Sequence, residues 1–152
     1  MFRKDREITD REAIESILRE APVIHIGMID FGMPYVVPMN FAFREGCIYL
    51  HSARHGLKMD IISRNPRICF EAEVNLGTIP GDTVCSWGFR YRSVIGFGTA
   101  ILIDEPKEKR AGLDCIVEKY SGISSGDYSE DKLRGIAVIG IDIESMTGKE
   151  AE

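Results

Sequence analysis

The chain has 152 residues, 44% hydrophobic and 28% charged, with a formal net charge of −5, a profile that fits one globular domain able to bury a sizeable core. The acidic balance argues against a general nucleic-acid binder, whose footprint is a basic face, and no run approaches the ~18 consecutive apolar residues of a membrane span. The four cysteines, Cys47, Cys69, Cys85 and Cys115, make no C-x-x-C pair and read as buried reduced thiols; with an opening "MFRKDREI" that lacks a signal-peptide core, a cytoplasmic protein is expected.

In chain order, "TDREAIESILREA" predicts a helix, with Thr9 and Glu12 at capping-box spacing and Ile14, Ile17, Leu18 and Ala21 on one apolar stripe. "VIHIGMI" and "YVVPMNFAF" predict two strands joined by the turn "DFGMP", and "CIYLHSA" a third after the short loop "REG". "GLKMDIISRN" predicts a short helix that stops before Pro66, and "RICFEAEV" a fourth strand. "NLGTIPGD" reads as loop. "YRSVIGFGTAILI" reads as a long strand bent at Gly96 and Gly98. "PKEKRAGLDCIVEKY" predicts a helix with Leu113, Ile116, Val117 and Tyr120 inward, "SGISSGDYSED" a polar loop, and "IAVIGIDI" a closing strand.

Strands in a row, with helices between and beside them, point to an α+β domain built on an antiparallel barrel. Both alternating faces of "VIHIGMI" and "YVVPMNFAF" are uncharged apart from His25, so each strand needs cover on two sides. One face fills the barrel; a helix or a second subunit is expected on the other.

The segment "HSARHGLK" concentrates His51, Ser52, Arg54, His55 and Lys58 within eight positions. A spacing of four would bring the two histidines together on one helix, but His51 ends a strand and Gly56 begins the helix, and a catalytic metal also wants a third ligand. A metal site is therefore not expected. A strand running into a helix whose first turn carries Gly56 and Lys58 instead suits a phosphate, because free N–H groups, the helix dipole, the Ser52 hydroxyl and the Lys58 ammonium would meet there; a solvated basic turn is the plain alternative. Arg92, at the head of an apolar strand, needs a partner: either a carboxylate such as Glu71 or Glu73, or a phosphate. "GFGTAI" lacks the third glycine and the following helix of a dinucleotide fingerprint. Trp87 and His25 read as core residues, and Cys85 as a packing cysteine. No side-chain catalytic pattern is evident, so any chemistry is expected to belong to a cofactor.

Taken together, "PYVVPMNFAF", "IYLHSARHGLK", "NPRICFEAE" and "YRSVIGFGTA" resemble the successive signatures of the pyridoxamine-phosphate-oxidase-like flavin-binding split barrels. "RKDREI" and "VIGIDIESMTGKE" resemble the nitroimidazole-resistance branch of that superfamily. The resemblance implies a single domain over residues 1–152: a six-stranded antiparallel split barrel with flanking helices, paired as a homodimer with FMN in the clefts between subunits. It implies that Val37, Pro38, Met39 and Asn40 line the flavin ring and that His51 and Ser52 lie beside the ribityl-phosphate chain. Lys58 would bind the phosphate, and Arg92, Ser93 and Val94 would enter the cleft from the partner subunit. Pyridoxamine-phosphate oxidases proper carry an arginine and a lysine where this chain has Val36 to Asn40, and a basic segment where it has "TGKEAE"; vitamin B6 oxidation is therefore not expected. Leu57 stands where a second basic residue would flank Lys58, leaving Arg54, His55 or Arg92 to help.

The expected activity is reduction of a small molecule, the nitro group of a nitroimidazole being the one the resemblance implies, with electrons from a nicotinamide or similar donor and His51 as the candidate proton donor. The alternatives are a flavin or haem carrier or sensor on the same barrel, with His51, His55 or His25 as axial ligand, and a deazaflavin in the same cleft.

Overall fold

The computed structural model describes residues 4–151; Arg3 of the quoted "RKDREI" and residues 1, 2 and 152 lie outside them. The first helix, α1 (Arg11–Glu20), is capped by Asp10, whose side chain accepts a hydrogen bond from Ala13 N at 3.0 Å. Thr9 is thus not the cap: the cap shifts by one residue, so that the Asp10 carboxylate takes the Ala13 N–H in place of a Thr9 hydroxyl on the Glu12 N–H, and it also complements the helix dipole.

The strands are β1 (Glu7–Ile8), β2 (Ile24–Asp30), β3 (Met33–Met39), β4 (Phe41–Arg44), β5 (Cys47–Ala53), β6 (Arg67–Ile79), β7 (Gly88–Ile103) and β8 (Ile136–Ala151). They pair antiparallel in the order β3-β2-β6-β7-β8-β5-β4, with β1 also on β8. In that order β3 and β4 hold opposite edges of the sheet, yet only Asn40 separates them in the chain. A sheet whose two edges are joined by one residue must curl until they meet. The result is a mainly β, α+β split barrel, closed through the chain at Asn40.

The count is eight strands rather than six, for two reasons. "YVVPMNFAF" is divided at Asn40 into a β2-paired and a β5-paired half, and the two-residue β1 adds to β8.

The long strands overrun their apolar runs. The segment "NLGTI" belongs to β6, where it pairs with Gly88–Tyr91 beyond a bulge at Asn75/Gly77, and "ESMTGKEA" belongs to β8. A second irregularity between Phe97 and Gly98 bears out the bend expected there. A Cβ on Gly98 would sit 2.4 Å from Asp142 O, which only glycine avoids.

The barrel interior holds Ile24, Ile26, Phe41, Leu50, Phe70 and Ile141, with Ile17 and Leu18 of α1 packed on them. α1 touches β4 at one edge of the sheet and also β6, β7 and β8, so it spans the barrel. α2 (Leu57–Arg64) lies on β2, and α3 (Pro106–Ser121) on β4, β5 and β8. A short helix within the expected loop, α4 (Glu130–Gly135), is capped by Ser129 and seats Leu133 against Leu113 and Val138.

On the outer face of β2, β3, β6 and β7, the register aligns Val36, Gly27, Cys69 and Phe97 in one row, and Pro38, His25, Glu71 and Ile95 in the next. Val36, Ile95 and Phe97 are 60%, 48% and 53% exposed. This is the second apolar side foreseen in these strands, and no helix covers it among the described residues. Three expected core residues are exposed instead. Trp87 and Cys85 lie in the segment joining β6 to β7, and His25, on the outer face, bonds Glu71 through Nδ1 at 3.2 Å. Their apolar neighbours made them look interior; the strand's parity turned His25 outward.

Candidate cofactor site at the end of β5

The last residues of β5, His51 and Ser52, run through a turn into α2. Gly56 takes φ 118° as the helix N-cap and offers no side chain to the first-turn amides. Those N–H groups keep the anion-binding character of a bare helix end, and Lys58 stands among them.

Lys58 is half-buried, and among the described residues no hydrogen bond or ion pair reaches its ammonium. Burial lowers its pKa. The Nδ1 atom of His51 is buried without a hydrogen-bond partner. Burial, and secondarily the nearby Lys58 charge, push the imidazole pKa below its ordinary value. Both causes favour the neutral imidazole, in which one ring nitrogen donates and the other accepts.

A buried acceptor or donor left open beside an unpaired cation is an unfinished polar site. A phosphate at the helix end would complete Lys58, and a polyhydroxyl chain beside it would complete His51 Nδ1.

The barrel closure adds the third side. Phe41 pairs with Leu50 on β4–β5, so one step further along that ladder Asn40 comes opposite His51. Asn40 and Pro38 are exposed, Val37 is half-buried, and Met39 is buried in the core. β3 is an edge strand, and Pro34 and Pro38, which carry no N–H, mark its outward-facing positions. Val36 shares their parity, so its N–H and C=O also face outward, a donor the sequence pattern did not single out. The corner itself is held by Tyr120, whose hydroxyl accepts from Phe41 N at 3.0 Å and donates to Pro22 O at 2.8 Å. Tyr120 was expected to pack inward; its ring edge is exposed and its oxygen does the structural work.

The remaining expected residues lie elsewhere in the chain. Arg92, Ser93 and Val94 of β7 face Glu150, Lys149 and Gly148 on β8, whereas His51 faces Val138; at ~3.3 Å per residue these places are roughly 33–40 Å apart along β8. Val94 is fully buried, Ser93 is half-buried, and Arg92 pairs with Glu20 at 2.6 Å rather than with Glu71 or Glu73. The Arg54 guanidinium turns away, donating to Arg134 O at 3.2 Å and lying 3.6 Å from Asp104, and His55 is exposed. Within one chain Lys58 is thus the only one of these cations left open at the helix end. No cluster of metal-ligating side chains occurs among the described residues.

The model of the pyridoxamine 5'-phosphate oxidase family matches residues 10–150. Among solved structures, a protein from Bacteroides thetaiotaomicron named for 5-nitroimidazole antibiotic resistance is 34% identical, over 95% of this chain and 86% of its own, with a TM-score of 0.84. A flavocytochrome from Azotobacter vinelandii is 21% identical, over 96% of this chain and 69% of its own, with a TM-score of 0.82. An FAD- and haem-binding protein from Mycobacterium smegmatis is 18% identical, over 97% and 74%, with a TM-score of 0.85; these two likenesses carry the fold alone. No curated protein matches the chain in sequence.

Proposed function

The chain belongs to the pyridoxamine 5'-phosphate oxidase family, and we propose that it is an FMN-dependent oxidoreductase acting as a cytoplasmic homodimer on a small, weakly charged molecule. The observation that carries this reading is the pairing of an orphaned His51 Nδ1 with an unpartnered Lys58 at the uncapped start of α2. The donor set is that of a phosphate followed by a hydroxylated chain, as in FMN. When bound, FMN supplies electron transfer between a nicotinamide donor and an acceptor such as an aromatic nitro group.

The residues of the chain bind, orient and exclude water. Lys58 and the first-turn amides of α2 hold the phosphate, with the Ser52 hydroxyl beside it. His51 hydrogen-bonds the chain that follows and, as a neutral imidazole, orients the substrate. The exposed edge of β3 offers the carbonyls of Pro34 and Pro38 and the Val36 N–H to the ring, with Val37 and Met39 as apolar backing and Asn40 at the corner. Arg92, Ser93 and Val94 lie too far from His51 along β8 to serve the same site in one chain; in this reading β7 reaches the partner's site across the outer face, with Ser93 as the donor and Arg92 freed from Glu20. The absence of a basic side chain from Val36 to Asn40 leaves nothing on that strand to grip a phosphorylated substrate, which favours a neutral acceptor over pyridoxamine phosphate.

The test is the spectrum of the purified protein, followed by two variants. Flavin maxima at about 375 and 450 nm that bleach anaerobically with NADH or NADPH support the proposal, and a Soret band would replace FMN by haem. Lys58→Met is expected to weaken FMN binding about tenfold or more. His51→Ala is expected to slow turnover more than it weakens binding. A flavin that no donor reduces would make this a carrier.

A further inference from the structure

A second group of basic side chains lies away from the α2 site, where α3 and α4 meet the ends of β5 and β7. The groove there has a volume of about 310 Å3 and is lined by Arg54, Asp104, Lys109, Arg110, Glu130 and Arg134, with Pro106 and Leu133 as its apolar parts. Four cations face two carboxylates, on a chain whose overall balance is acidic.

The pairing within the groove is uneven. Arg134 is taken up by Asp131 and, at 3.9 Å, by Glu130. Arg54 has Asp104 at 3.6 Å and the Arg134 carbonyl. Arg110 donates only to a neutral acceptor, Tyr128 O, at 3.1 Å. Lys109 is 5% exposed, the one charged residue among the buried side chains, and among the described residues no hydrogen bond or ion pair reaches its ammonium. Its stem is covered by the fold, while the residue forms part of the groove wall.

An ammonium that ends a buried stem without an acceptor, beside a half-buried guanidinium matched only by a carbonyl, leaves cationic donors open to a ligand. Burial and the neighbouring Arg54 both lower the Lys109 pKa, with Asp104 opposing them in part. The groove therefore has an excess of two cations without a carboxylate partner, Lys109 with all its ammonium donors open and Arg110 with those not used by Tyr128 O, in a space suited to a small anion. A phosphate group accepts from an ammonium and a guanidinium at once through separate oxygens.

We propose that this groove is a second anion site, taking the phosphate group of a small diffusible molecule with Lys109 as its buried contact and Arg110 beside it. The site is independent of the FMN reading, because it shares no residue with the α2 seat.

Pyrophosphate, titrated at constant ionic strength into the full chain, is the probe. It is expected to raise the melting temperature and to shift amide signals of residues 107–112 and 130–135 in 1H–15N spectra. Lys109→Met, which keeps the length of the buried stem, is expected to weaken binding about tenfold; Arg110→Gln should do the same, and Lys58→Met should leave these shifts unchanged. Tighter binding of adenosine 5'-phosphate than of pyrophosphate would assign the phosphate to a nucleotide, and the reverse order to a free phosphate. Shifts confined to residues 56–60, loss of the effect in Lys58→Met, or no response in the wild-type chain would overturn the proposal.

Discussion

His51 and Lys58 share one electrostatic problem: burial disfavours charge on both, and the Lys58 charge adds to the penalty on the imidazole. An anion bound at Lys58 removes the repulsion felt by the imidazole and moves its pKa back toward the ordinary value, so cofactor binding and His51 protonation are linked. Lys119 presents a different case. Its ammonium sits 3.4 Å from the centre of the Phe41 ring and donates to Leu18 O at 3.0 Å, yet burial still lowers its pKa to about 8. The unfolded chain keeps the proton up to the ordinary value of 10.5. Between these two values the unfolded state binds more protons, and this residue's contribution to stability rises with pH. The tyrosines and cysteines that burial pushes upward, Tyr49 and Cys115 among them, act in the opposite sense, so the expected signal is a difference between two proteins. Urea unfolding at about pH 7.5 and about pH 9.5 should show wild type gaining on Lys119→Met as pH rises; a constant gap would mean that the ammonium is not penalised by burial.

Among the elements, the corner at Asn40 matters most, because it closes the barrel and brings β3 to the end of β5. Tyr120 reaches it from α3, linking Phe41 N to Pro22 O. Tyr120→Phe strands a part-buried N–H and a carbonyl, with an expected loss of about 1–2 kcal/mol in chemical denaturation, and a weaker hold on FMN measured by flavin fluorescence. If stability falls while FMN affinity is unchanged, the corner is a structural joint and does not position the site. The elements themselves were readable to different degrees. β5 and α3 carry a clean apolar pattern and start where their residues predict. The second half of β8, "ESMTGKEA", does not: its strand conformation comes from a ladder with β7 that no local pattern announces. α4 was hidden for a similar reason, since a six-residue helix shows too little periodicity and depends on Leu133 reaching Leu113.

For the molecule as a whole, the uncovered face of β2, β3, β6 and β7 is the feature that most needs a partner. Ile29, Val36 and Phe97 line a groove of about 540 Å3 on that face, and Ile95 lies in the adjoining row, an apolar patch of a kind that monomers seldom leave in water. The dimer proposed above would bury it and would carry β7 of one subunit toward the α2 end of the other. Phe97→Glu is expected to shift the protein to monomer in light-scattering chromatography and, because the clefts are shared, to lower FMN affinity; a dimer that survives with FMN bound would place the interface elsewhere.

The barrel class, the helix that follows β5 and the family could all be read along the chain, because alternation, turn chemistry and the order of short signatures are local properties. The partners of the charged groups could not. Arg54 and Arg92 were both candidates for the phosphate; folding gave one to Asp104 and the other to Glu20. It also set Asn40 one step beyond the Phe41–Leu50 pair, and among the described residues it left the Lys58 and Lys109 ammonium groups without a hydrogen bond or ion pair. Each of these outcomes depends on which distant residues the barrel closure brings within a few ångströms, and Coulomb and hydrogen-bond energies fall off over that distance.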